Sequence, residues 1–195
     1  MGQEEKNIAI FASGEGTNFT ALVTAFRQQN LPLKVKLLIC DHPAVNVLRR
    51  AAEEKVPSLV VDFKAYPNKA VAEQQIIKQL QAKQIDFILL AGYMRIIGPT
   101  LLAAYPHKII NIHPALLPHF SGRHGIEDAF AAGVATTGVT IHWVDSGIDT
   151  GKIIAQRTVT ILPQDDLASL AKRIHATEHR LYPQVVEQLL NEGEI

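Results

Sequence analysis

An alternation constrains this chain more than any other feature. Short apolar, β-branched runs take turns with segments whose apolar residues recur every three or four positions. Asn7–Ala12, Val35–Cys40, Ser58–Val61, Phe87–Ala91 and Ile109–His113 are runs of the first kind and read as strands. Between them, Phe19, Leu22, Val23 and Phe26 mark a helix closed by Leu31-Pro32, and Val45–Lys55 and Ala70–Gln84 mark two more, the last with a Gln- and Lys-rich outer face. Strands that alternate with helices imply βαβ units and a largely parallel sheet.

The pattern changes after Gly133. Gly138–Val144 and Lys152–Leu162 read as strands, and Asp145–Gly151 between them holds two glycines and two aspartates. That predicts an antiparallel hairpin added to the sheet. A last helix is predicted from about Asp165 to Leu190, with Asp165 or Asp166 as its cap. Pro183 is expected to kink or restart it, because proline removes a helical hydrogen bond at a cost of about 3 kcal/mol. The expected architecture is α/β: a single-domain, Rossmann-like, mostly parallel twisted sheet over residues 1–195, with helices on both faces and the C-terminal antiparallel hairpin.

Composition bounds the partners. A chain of 195 residues suits one domain and buries roughly 70% of its unfolded surface without a staple. Nineteen basic residues balance nineteen acidic ones, which argues against a broad nucleic-acid surface. The lone Cys40 sits in an apolar run, reads as core, and excludes a disulfide framework or a Cys-rich zinc site. The N-terminal stretch Met1–Lys6 is short and polar, and no apolar stretch approaches a membrane span. A cytoplasmic protein is expected, with small-molecule partners, no nucleic acid and no membrane, as a monomer or homodimer.

Ligands of open parallel sheets bind beyond the carboxyl ends of the strands. After the first strand comes Ser13-Gly14-Glu15-Gly16-Thr17-Asn18, a glycine turn running into a helix N-terminus. Free backbone N–H groups and the positive dipole end suit a phosphate. Phe19 replaces the third glycine of a dinucleotide fingerprint and the Walker Lys-Ser/Thr pair is missing, so a small monophosphate fits better. A plain turn with Thr17 or Asn18 as helix cap is the alternative. After the fourth strand, Arg95 lies amid apolar residues in Gly92–Gly98; it could face a flat ring or carboxylate, or be a solvated loop residue. On the fifth strand Asn111 and His113 are two apart and share a face, either as a site or as a hydrogen-bonded core pair. Asp145 and Asp149 lie in the hairpin loop, where a carboxylate could reach a neighbouring imidazole or simply stand in the turn.

These residues match a known pattern. Ser13–Asn18, Ala91–Ile97, Asn111-Ile-His-Pro-Ala-Leu-Leu-Pro118, Thr140–Asp149 with Gly151, and Glu178-His179 with Tyr182-Pro183 together resemble the phosphoribosylglycinamide formyltransferases, a 10-formyltetrahydrofolate-dependent family of purine biosynthesis. The resemblance covers nearly the whole chain. It implies formyl transfer from 10-formyltetrahydrofolate, as co-substrate, to the amine of glycinamide ribonucleotide, without a metal. The N-terminal half would bind phosphate; the C-terminal half would bind folate and carry catalysis. Gly16, Thr17 and Asn18 would hold the substrate phosphate, and His175 and Glu178 its ribose or glycinamide part. Lys69, Met94, Arg95, Ile96, Ile97 and Asn111 would meet the folate. Asn111, His113 and Asp149 would be catalytic. Lys69 stands where the family often has Arg, Ser121 and Lys152 where Pro is common, and His175 at a variable position.

Three rivals remain. A methionyl-tRNA formyltransferase would need further sequence to hold tRNA, and no basic tail follows the last helix. A formyltetrahydrofolate hydrolase would carry an additional N-terminal domain, whereas the first strand begins at Asn7. A non-catalytic sugar-phosphate or nucleotide-binding module could use the glycine turn, with Asp41 on a ribose hydroxyl, but gives no reason for Asn111, His113 and Asp149 to occur together.

Overall fold

The computed structural model describes residues 5–195. Most of the polar stretch Met1–Lys6 therefore lies outside the described residues. The strands follow the order β3-β2-β1-β4-β5-β6-β7 in a mixed sheet. The chain divides into two compact units, one ending at Ile109 and one spanning Ile110–Glu194.

The first unit holds β1 (Lys6–Ala12), α1 (Thr17–Gln28), β2 (Leu33–Cys40), α2 (Asn46–Glu53), β3 (Ser58–Val60), α3 (Lys69–Ala82), β4 (Phe87–Leu90) and α4 (Pro99–Ala104). β1 pairs in parallel with β2 on one side and β4 on the other, with Ile8 opposite Phe87 and Ile10 opposite Leu89. Ile8, Ile10, Phe11, Phe19, Leu22, Leu38, Ile39 and Ile88 are fully buried. Each such side chain stabilises the fold by roughly 1.5–3 kcal/mol relative to exposure. The strand order reverses at β1, since β2 and β3 extend to one side and β4 to the other. The crevice at such a reversal is where α/β sheets hold ligands. Here the two loops that flank it touch: the Ser13 amide donates to the Gly92 carbonyl at 3.0 Å.

The second unit holds most of β5 (Ile109–His113), then α5 (Gly125–Ala131), β6 (Thr136–Trp143), β7 (Ile153–Thr160) and α6 (Leu167–Glu192). β6 runs antiparallel to both β5 and β7, placing Asn111 opposite His142 and His113 opposite Thr140. The expected hairpin is present. Asp166 caps α6, accepting from the Ser169 amide while Ser169 closes a capping box.

Pro183 corrects the expectation of a restart. It lies inside α6, which neither ends nor restarts there. Leu181, Tyr182, Pro183, Val185 and Val186 are all buried, and the Tyr182 hydroxyl donates to the Ile110 carbonyl at 3.0 Å. Burial at roughly 1.5–3 kcal/mol per large side chain offsets the one lost hydrogen bond. The sequence reading also misses α4 and α5. At 6 and 7 residues they span under two turns, too short for the 3.6 repeat to show.

Candidate active site

In the first unit the glycine turn is built to approach closely. Gly16 is the N-cap of α1 at φ 74°, and no side chain caps the helix. Thr17 and Asn18 lie inside the first turn, so the reading of either as a cap is overturned. A Cβ at Gly16 would come within 2.5 Å of the Val47 side chain, so both backbone conformation and space require glycine. Gly16→Ala is expected to weaken binding of a phosphate-bearing ligand by at least about tenfold, since a strained positive-φ residue costs on the order of 1–3 kcal/mol. Calorimetry would measure it; unchanged affinity would remove the turn from the site.

In the loop after β4, Met94 and Ile96 are exposed while Ile97 is buried. Arg95 does not stand free. Its Nε donates to Asp41 Oδ2 at 2.8 Å, and its guanidinium lies 4.2 Å over the Phe63 ring. Asp41, the candidate ribose reader of the binding-module alternative, is thereby engaged, and His42 Nδ1 takes its other oxygen at 2.9 Å. Lys69, in the first turn of α3, places Nζ 4.0 Å from Glu73 Oε1.

The second unit brings the strand pair and the loop carboxylate together. His113 is buried, and its Nε2 donates to the Phe120 carbonyl at 2.8 Å. Its Nδ1 faces Asp149 Oδ2 at 3.5 Å. That is an ion-pair distance and too long for a committed hydrogen bond. A proton on Nδ1 can therefore be shared with a third group. Asp149 also accepts from the Gly122 amide at 2.8 Å. The other loop aspartate does a different job: Asp145 takes the Gly147 amide and the Thr150 hydroxyl, folding the turn itself.

His142 is the residue that sequence reasoning missed. It is buried; its Nε2 lies 3.1 Å from Asn111 Nδ2 and 3.6 Å from Asp149 Oδ1. Its Nδ1 donates to the Trp143 carbonyl at 2.8 Å. When the ring is neutral its Nε2 is bare and accepts one Asn111 N–H, leaving the second N–H of that amide for another acceptor; when the ring is protonated the same Nε2 turns a proton toward the Asp149 carboxylate. The signal was there: Thr140 and His142 are polar residues two apart on an apolar strand, the same pattern as Asn111 and His113. Thr140 donates to the Ala115 carbonyl at 2.7 Å and accepts from the Leu117 amide at 3.1 Å, fixing the turn after β5.

Burial alone raises the Asp149 pKa, but the His142 ring, the Gly122 amide and the charge of His113 outweigh it and hold the carboxyl below its ordinary 3.8. The group is thus an anion at neutral pH, beside two imidazoles. On α6, His175 Nδ1 bonds Glu178 Oε2 at 2.9 Å. That bond, against the opposing effect of burial and with Glu127 nearby, raises the His175 pKa above 6.5. Among the described residues no group of three His, Cys, Asp or Glu is placed to hold a metal ion, and no helix is long and apolar enough to cross a membrane.

A half-buried amide, two buried imidazoles and a carboxylate at one end of an antiparallel strand pair can bind an oxyanion and move protons without a covalent intermediate. The family model described as formyl transferase matches residues 6–186. The chain belongs to the formyl transferase family and is an enzyme of that class. Its relatives are more particular. Phosphoribosylglycinamide formyltransferase of Bacillus subtilis (strain 168) is 50% identical over 192 residues, which cover 97% of this chain and 98% of that one. The crystal structure of glycinamide ribonucleotide transformylase 1 from Geobacillus kaustophilus superposes with TM-score 0.93 at 54% identity, over 96% of this chain and 100% of that one. The crystal structure of phosphoribosylglycinamide formyltransferase from Bacillus halodurans does so with TM-score 0.94 at 50% identity, over 96% and 97% of the two chains.

Proposed function

We propose that the chain transfers formyl from 10-formyltetrahydrofolate to the amine of glycinamide ribonucleotide, as a cytoplasmic enzyme of de novo purine biosynthesis. The observation that carries this reading is that Asp149 lies 3.5 Å from His113 and 3.6 Å from His142, with Asn111 3.1 Å from His142. Gly16, Thr17 and Asn18 receive the substrate phosphate at the uncapped start of α1. His175 and Glu178 meet its ribose or glycinamide part. Lys69, Met94, Ile96 and Ile97 serve the folate, with Arg95 in the same loop.

The neutral amine attacks the formyl carbon, and the carbonyl oxygen becomes an oxyanion. The second N–H of Asn111 and an Nδ1 proton on His113 donate to it; such donors are each worth about 3 kcal/mol in known cases. The ammonium of the adduct then loses a proton and the folate nitrogen gains one as its bond to carbon breaks. His113 and Asp149 relay that proton at Nδ1 and Oδ2. His142 keeps Asn111 and Asp149 aligned. His142→Leu is expected to lower kcat on the order of 10- to 100-fold, the scale of a displaced catalytic group. A kcat within twofold of wild type would remove His142 from the machinery.

The acceptor decides between readings. The protein is incubated with 10-formyltetrahydrofolate, with and without glycinamide ribonucleotide, and folate absorbance is followed. Turnover that requires the acceptor supports the transfer. Turnover without it indicates a hydrolase, and none in either case a binding module.

A further inference from the structure

Three polar side chains buried in the first unit, Ser13, Asp41 and Glu73, converge on one loop. They come from the end of β1, the end of β2 and the second turn of α3. Ser13 Oγ accepts the Met94 amide at 2.9 Å. Asp41 holds Arg95. Glu73, 2% exposed, takes the Gly98 amide on Oε1 at 2.6 Å and the Leu101 amide on Oε2 at 3.2 Å. A carboxylate is costly to bury unless its oxygens are paired, and here both take the first amides of α4, at Gly98 where the loop ends and at Leu101 within the helix. Glu73 also interrupts an apolar stripe, since Ile76 and Leu80 follow it at helical spacing.

What the three side chains hold is a ledge. Met94 and Ile96 are 47% and 52% exposed on a loop tied through the Met94 and Gly98 amides and the Arg95 side chain. An apolar ledge on fixed backbone suits a flat aromatic ligand. The Arg95 side chain, bonded to Asp41 through Nε and stacked over Phe63, anchors the loop.

We infer that Glu73 is a positioning residue for the folate ring, acting by fixing the Gly92–Gly98 loop, with Lys69 as its counter-charge. This rests on the reading of that loop as a folate site. Glu73→Gln loses the acceptor for one of the two amides. Gly98→Ala tests the same point with Glu73 intact: at φ −91° alanine is unstrained, but its Cβ would fall 2.6 Å from Glu73 Oε1, so the carboxylate must swing away.

The test is steady-state kinetics of both variants beside thermal unfolding. Each variant is expected to raise the KM for 10-formyltetrahydrofolate about tenfold, with kcat and the KM for glycinamide ribonucleotide within about twofold. A purely structural role would move all three together or only the melting temperature, and either result overturns the inference. An unchanged folate KM in a folded variant does the same. Should Glu73→Gln fail to fold, Gly98→Ala carries the test. Wild-type protein that binds no 10-formyltetrahydrofolate would sink the functional reading itself, a failure distinct from variants that bind as wild type does.

Discussion

His113→Ala is expected to lower kcat by about three orders of magnitude while changing the dissociation constant for 10-formyltetrahydrofolate less than about threefold. The expectation follows from where the ring sits. Nε2 is tied to the Phe120 carbonyl and Nδ1 faces a carboxylate at 3.5 Å. The ring therefore has a fixed orientation, and its one uncommitted proton is useful only once negative charge develops on the formyl oxygen. Ground-state folate gains little from it. The variant also loses the bond to Phe120, which lowers stability by roughly 1–3 kcal/mol, so rates are compared well below the unfolding transition. Equal losses in kcat and folate affinity would place His113 in binding rather than in the transition state.

Asp149→Asn is expected to lower kcat by about 100-fold, within the range of general acid–base effects. Asparagine is the fitting probe. Asp149 sits at φ 55°, a left-handed conformation that Asn tolerates and most residues do not, so the change removes charge without adding backbone strain. The sign of its pH dependence follows from the lowered pKa. An ionised group with a depressed folded pKa stabilises the fold above its unfolded pKa, and that contribution is lost as pH falls through the folded value. Wild type should lose stability on acidification below about pH 4 more steeply than Asp149→Asn. Urea titrations across that window would show parallel curves if the carboxylate were not paired with the histidines.

Much of this was legible in the residues. Four of the five apolar runs form parallel strands, and β1 and β4 were the plainest because buried parallel strands are near-continuously apolar. Asn111 and His113 were visible as polar residues two apart on such a run, and Asp149 as a carboxylate in a glycine-flanked loop. Other features depended on contacts across the chain. His142 looked like one more strand residue until antiparallel pairing set it opposite Asn111. The bond of Arg95 to Asp41 was not legible, because the two lie 54 positions apart. Glu73 was hidden in a helix whose other polar residues are solvated. The restart expected at Pro183 does not occur, because propensity is local while burial of α6 is not.

The most direct measurement follows the carbon itself. With 10-formyltetrahydrofolate carrying a 13C-labelled formyl group and glycinamide ribonucleotide in excess, the label should appear as the amide carbon of the formylated ribonucleotide, one per folate consumed. Label recovered as formate, at the same rate with or without the ribonucleotide, would contradict a transferase built on these side chains.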